Sequence, residues 1–227
     1  MGKRILVFLM QRWWLFLVVV LIAVGVGIYL MNRPEVLEVL KYELVEKTPD
    51  GWFVAGRDPQ DYNMGFDHVV THSGEASAYL KSKVSKPRSF GTLMQMFKAE
   101  DYRGKRVRIS GYVKAEKIEN WAGLWMRVDG PENMSLSFDN MQNRPIKGTI
   151  DWTKHEIVLD VPENSINIAL GILLSGKGQV WIDDLQFEVV GKDVPTTDLL
   201  KDVPTTDLLV ERAKEFPKQP LNLDFEG

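Results

Sequence analysis

From residue 51 to residue 191 the chain repeats one pattern. Short stretches alternate apolar and polar residues, each closes on a turn signal, and no helical stretch intervenes. Residues 166–174 set Ile166, Ile168, Leu170, Ile172 and Leu174 against Asn167, Ala169, Gly171 and Leu173. Residues 106–114 set Val107, Ile109, Gly111 and Val113 against Arg108, Ser110 and Tyr112. A period of two with apolar residues on one side marks a strand that buries one face. Turns are signalled by Thr48-Pro49-Asp50-Gly51, His72-Ser73-Gly74-Glu75, Asp101-Tyr102-Arg103-Gly104 and Gly176-Lys177-Gly178. Strands are therefore expected at 66–71, 76–84, 90–98, 106–114, 122–129, 134–138, 152–161, 166–174 and 180–190, after a short apolar segment at 52–56. Strands this short and this closely spaced predict an all-β sandwich or barrel. A parallel α/β fold would need crossover helices.

Ahead of this region, residues 13–31 carry no charge and are rich in Leu, Val and Ile. At ~1.5 Å per residue they span roughly 28 Å, close to a bilayer's hydrocarbon thickness. Trp13, Trp14 and Tyr29 sit near the ends, where such rings favour the interface. Lys3, Arg4 and Arg12 precede the run, and Asn32-Arg33-Pro34 stops it. The reading is one N-terminal transmembrane helix, with the bilayer as its partner. The N-terminus is expected in the cytoplasm and the β domain outside the cell membrane. A cleaved signal peptide or a buried core helix is the alternative; the run exceeds the ~7–15 residues of a signal core. The expected domain order is a cytoplasmic start and span at 1–34, a juxtamembrane stalk at 35–50 and the sandwich at 51–191. A linker at 192–220 and a C-terminal strand at 221–227 complete it. The linker holds KDVPTTDLL twice in tandem, at 192–200 and 201–209. In the last strand Leu221, Leu223 and Phe225 alternate with Asn222, Asp224 and Glu226.

The chain has no cysteine, which excludes disulfides, thiolate metal sites and a cysteine nucleophile. Its net charge is -3, so it offers no basic face for nucleic acid. Asp129, Asp139, Asp151, Glu156 and Asp160 contain candidates for a glycosidase pair. Sequence does not show the ~5–9.5 Å spacing that such a pair needs, and solvated carboxylates are the ordinary expectation. His68, His72 and His155 do not stand at metal-ligand spacing, and His72 reads as a turn residue. The best candidate for function is a sheet face. If strands 90–98, 106–114, 122–129 and 166–174 share a sheet, one side collects Gln95, Arg108, Tyr112, Trp125 and Arg127. An aromatic platform flanked by oriented donors suits a sugar or another polar ligand. The alternative is a face covered by the stalk or the C-terminal tail, with Trp125 in a satellite core.

Gly51-Trp52, HSGEAS at 72–77, DYRGKRVRISGYVK at 101–114 and VWIDDLQFEVV at 180–190 carry a family resemblance. The chain resembles a carbohydrate-binding-module-type, galactose-binding-like jelly roll. It looks closest to the version attached to some bacterial arabinose-regulator-type transcription factors. In secreted modules an N-x-x-F-E segment precedes the Gly-Trp pair; here it stands at the C-terminus, which suggests a permuted order. This chain shows no helix-turn-helix segment, so a transcription role does not carry over. The resemblance implies a structural calcium held by Asp183, Asp184 and Glu226, with no other cofactor. It also implies a module that binds a glycan rather than an enzyme. A structural or protein-interaction module of the envelope is the alternative, its protein partner unknown.

Overall fold

The computed structural model describes residues 49–200 and 216–226. The expected span at 13–31, and residues 35–48 of the stalk expected at 35–50, lie outside them. Among the described residues no helix is long and apolar enough to cross a membrane. These residues form nine strands, β1 (Phe53–Gly56), β2 (Tyr62–Asp67), β3 (Ser77–Ser82), β4 (Phe90–Lys98), β5 (Arg106–Asp129), β6 (Ser135–Asp139), β7 (Ile146–Asp160), β8 (Asn167–Ser175) and β9 (Gln179–Val190). The helical content is three single turns of 3-10 helix, at Pro59–Asp61, Glu100–Tyr102 and Pro131–Asn133.

The main difference from the expected strands is β5. Residues 106–114 and 122–129, read as two strands, belong to one of 24 residues. Its first half pairs with β9 on one side and β7 on the other. Its second half pairs with β8 and β6. Between the halves the register slips at Ala115, Ile118 and Ala122, and Lys117 takes a positive φ of 54°. Such bulges bend a strand and add an unpaired residue, which changes the face that later residues present. The strand thus passes from one layer, β2-β3-β9-β5-β7, to the other, β1-β4-β8-β5-β6. The result is a two-layer sandwich of jelly-roll type. Val107, Ile109, Val113 and Ala115 from the first half of β5 enter the same core as Ala122, Leu124, Met126 and Val128 from the second.

The tail at 216–226 lies along the sandwich without becoming a strand. Lys98 N–H donates to Pro217 O (2.8 Å) and Leu185 N–H to Leu223 O (3.0 Å). Phe225 is 1% exposed and its ring centroid is 5.2 Å from that of Trp52. The C-terminal strand expected from the alternation is corrected on one point. Asn222 and Phe225 have φ of 45° and 60°, which breaks extension, and Leu221 faces outward at 45% exposure.

Candidate functional site

The five residues expected on one face are divided among three places. Gln95 sits in β4 between Met94 and Met96, and it points the other way from them. It is 1% exposed. Its side chain accepts from Leu221 N–H (2.9 Å) and donates to Leu221 O (3.1 Å). It therefore anchors the tail instead of facing a ligand. The alternation in β4 is one residue out of phase with the expected face.

Trp125 and Arg127 lie on the outer face of the second layer, as the alternation indicated, but this face is closed. Trp125 packs with Met94, Met96, Ala169 and Leu173, and Phe216 of the tail packs against the same cluster. Trp125 is 6% exposed. Its indole N–H donates to Thr92 Oγ1 (2.7 Å), and Thr92 Oγ1 donates to Ile172 O (2.8 Å). Arg127 grips Asp129 through Nε (2.7 Å) and Nη2 (3.2 Å). Its guanidinium lies 6.0 Å from the Trp125 ring centroid. Burial pushes the Asp129 carboxyl up, and Arg127 opposes that push. An open groove on this side is thus corrected to a satellite core with an internal ion pair.

Arg108 and Tyr112 stand on the outer face of the first layer. Arg108 donates to Glu188 Oε1 from Nε (3.0 Å) and Nη2 (2.8 Å), with Glu156 3.7 Å away. Tyr112 is half-buried and stacks on His72, the ring centroids 3.6 Å apart and 13° from parallel. Trp152 of β7, also half-buried, meets His72 edge-on at 5.7 Å. His72 Nδ1 is 2.6 Å from Asp184 Oδ2, and both side chains are about three-tenths exposed, at 29% and 30%. An ionised carboxylate only accepts, so Nδ1 carries the proton. Ser73 Oγ donates to Asp184 Oδ1 (2.8 Å). Three rings, a hydroxyl and a carboxylate thus converge where the turn after β2 meets β5, β7 and β9. Sequence reasoning found Tyr112 and missed His72 and Trp152. The available signal was the pairing of HSGEAS with the Asp-Asp of β9, which already carried the resemblance.

The same turn bears on calcium. Asp183 is 1% exposed, and its Oδ2 accepts from the amides of His72 (2.7 Å) and Ser73 (3.2 Å). Its Oδ1 accepts from Asp184 N–H (2.8 Å). Burial raises its pKa, and these amides oppose the shift. Glu226 accepts from the amides of Glu75 (2.8 and 2.9 Å) and Ala76 (3.2 Å). Gly74 makes the approach feasible with φ of 60°, where a Cβ would overlap the Glu226 carboxylate. Calcium takes six to eight oxygens, chiefly carboxylates and carbonyls. Here the expected ligands are spent on backbone and hydroxyl donors. No group of three or more His, Asp or Glu is placed to hold a metal among the described residues. Asp183, Asp184 and Glu226 fasten the 72–76 turn.

The five carboxylates weighed as a glycosidase pair each face a cation. Asp129 has Arg127, Asp139 has Arg144 (2.6 Å), Asp151 has Lys114 (2.6 Å) and Glu156 has Arg108 (3.7 Å). Asp160 has Arg106 and Lys192, and the Arg106 hydrogen bond leads in pulling its pKa down to about 2.

No family model matches the chain. It is 46% identical over 183 residues to the uncharacterized HTH-type transcriptional regulator YbfP of Bacillus subtilis (strain 168). The match covers 80% of this chain and 58% of that relative, so the chain spans under two thirds of the relative's length. Among solved structures it is similar to the CBM22-1 xylan-binding domain of Paenibacillus barcinonensis Xyn10C. The TM-score is 0.47 and the identity 17%, over 64% of this chain and 89% of that one. It is also similar to the C-terminal family 22 carbohydrate-binding module of Clostridium thermocellum Xyn10B. There the TM-score is 0.44 and the identity 13%, over 62% and 86% of the two chains. The regulator corrects the expected location. A cell-membrane protein with an extracytoplasmic domain does not agree with 46% identity to a transcriptional regulator, because transcription proceeds on the DNA side of the membrane.

Proposed function

We propose that this sandwich is a ligand-binding module whose recognition surface is the His72–Tyr112–Trp152 cluster with Asp184. The ligand class is a saccharide or a ligand of similar shape, with apolar ring faces and a rim of hydroxyls. One observation carries the reading. Three aromatic rings meet on a half-exposed face, beside a carboxylate and a histidine nitrogen that can pair with hydroxyls. Arg108, paired with Glu188, lies further along the same face of β5. The module binds and does not catalyse. In a chain related to an HTH-type regulator, it would supply the ligand-responsive part. The test is a glycan array with the intact chain, followed by titration of each hit with the Trp152→Ala and Tyr112→Ala variants. The expected result is binding that falls at least about tenfold in each variant, as for aromatic anchors elsewhere. No glycan bound by the intact chain, or hits indifferent to both variants, would overturn the assignment.

A further inference from the structure

The first copy of the tandem repeat is not a loose linker. It straps together the free edges of β6 and β7, one from each layer. At β7, Thr197 N–H donates to Val158 O (2.9 Å), and Val158 N–H donates to Thr197 Oγ1 (3.0 Å). At β6, Leu199 N–H donates to Phe138 O (2.8 Å), and Phe138 N–H donates to Asp198 Oδ1 (3.0 Å). One residue on each edge strand thus has both backbone groups satisfied by the repeat. Val158 is on the outer side of β7, between the core residues Ile157 and Leu159, yet it is 1% exposed. At the start of the copy, Arg106 Nη1 donates to the carbonyls of Lys192 and Val194. Lys192 Nζ donates to Asp160 Oδ1 (2.8 Å). An edge strand with unpaired backbone groups is a template for an added segment, and this one is filled by sequence-specific side chains as well.

Residues 201–209 have the same nine-residue sequence. Lys201, Val203, Thr206, Asp207 and Leu208 correspond to Lys192, Val194, Thr197, Asp198 and Leu199. We propose that the β6–β7 edge is a peptide-docking site with two interchangeable occupants in one chain, so that the second copy takes the place of the first by a nine-residue slip. Every contact described above would be reproduced, because every contacting residue is repeated. The connections permit the slip. In the first register residues 201–215 join the strap to Phe216; in the second, residues 210–215 do so while 192–200 loop out. Leu199 bonds Phe138, and Phe216 packs on the cluster that Phe138 also joins, so the two ends are neighbours. Six residues reach roughly 20 Å when extended. Loop entropy depends only logarithmically on length, so it separates the registers weakly. The physical consequence is an edge that stays sealed while the slack in the chain moves between its two sides.

The experiment is amide hydrogen exchange at Val158 and Phe138, whose N–H groups the strap's side chains accept. Three variants of the full chain are compared, namely T197A/D198A, T206A/D207A and the quadruple. If the copies exchange, losing either leaves the other in place, and exchange rises by no more than about twofold per variant. The quadruple loses two hydrogen bonds in both registers and exchanges at least about tenfold faster. A quadruple variant too unstable to measure, beside two stable doubles, supports the redundancy as well. Two results overturn the proposal. One is a T197A/D198A variant whose amides open as far as in the quadruple. The other is a concentration-dependent dimer in that variant, which would show the second copy docking on a neighbouring molecule.

Discussion

The two outer faces of the sandwich carry similar residues and reach opposite ends. On the second layer, Trp125, Arg127 and Asp129 follow one another at alternate positions. Each finds its partner nearby, the indole on Thr92 and the guanidinium on Asp129. On the first layer, Tyr112 and Trp152 are met by His72 from a turn 40 and 80 residues earlier in the chain, and the cluster stays half-exposed. An aromatic beside an arginine on an outward strand position is thus not enough to mark a binding face. What decides is whether another segment lies over it. Phe216 packs onto the first of these faces, and no described segment seals the second to the same degree.

The comparison can be broken first at Trp125. Trp125→Ala should cost about 3–5 kcal/mol of stability, as for a buried aromatic truncated to alanine. Urea unfolding measures it. If the loss is no larger than for Trp152→Ala, the two faces do not differ as described. Arg127→Ala comes next, because it strands Asp129, which is 2% exposed. Removing one partner of such a pair costs about 3 kcal/mol. The sign of its pH dependence is defined. Burial already raises the Asp129 pKa, and without Arg127 it rises further. A carboxyl whose folded pKa is raised contributes stability below its unfolded pKa and loses it as pH rises through the folded value. The variant should therefore approach the parent chain in acid and fall behind it toward neutral pH. Melting curves across that range that run parallel would show that Asp129 is not stranded.

On the exposed face the effect moves from folding to binding. Trp152→Ala should weaken glycan binding by at least about 1.4 kcal/mol. Its melting temperature should change less than that of Trp125→Ala, since its ring is only half-buried. The smallest effect is expected for deletion of residues 201–209. The first copy keeps every strap contact, so stability should change by less than about 0.5 kcal/mol, the ordinary scale for changes away from packed sites. A larger loss by calorimetry would give the second copy a structural role beyond exchange.

Much of the strand layout was legible in the sequence because alternation is local. β4 falls on the expected residues 90–98, and β6, β8 and β9 lie within a residue or so of their expected bounds. β2 starts four residues early, where Tyr62-Asn63 continues a strand that the preceding polar loop concealed. The union of 106–114 with 122–129 into β5 was not legible. Its connecting residues, Glu116, Lys117, Glu119 and Asn120, are polar and exposed and read as a loop. Pairing of Glu116 with Gln179 and of Ile118 with Gly148 keeps the stretch in one strand, across the bulge at Lys117.

What the sequence determined by itself is the all-β class, the inward set Leu124, Met126 and Val128, and the resemblance of its turn and Asp-Asp motifs. Each of these depends on neighbours a few residues apart or on a motif read directly. The tertiary structure alone decided which outward faces are covered, that Gln95 turns inward to hold Leu221, and that Asp183 and Glu226 hold the 72–76 turn. It also decided that the first repeat copy seals an edge. Those outcomes rest on contacts between residues 39 to 151 positions apart, such as Val158 with Thr197 and Glu75 with Glu226. A period of two says that a side chain points outward, but the segment that comes to lie over it arrives from elsewhere in the chain.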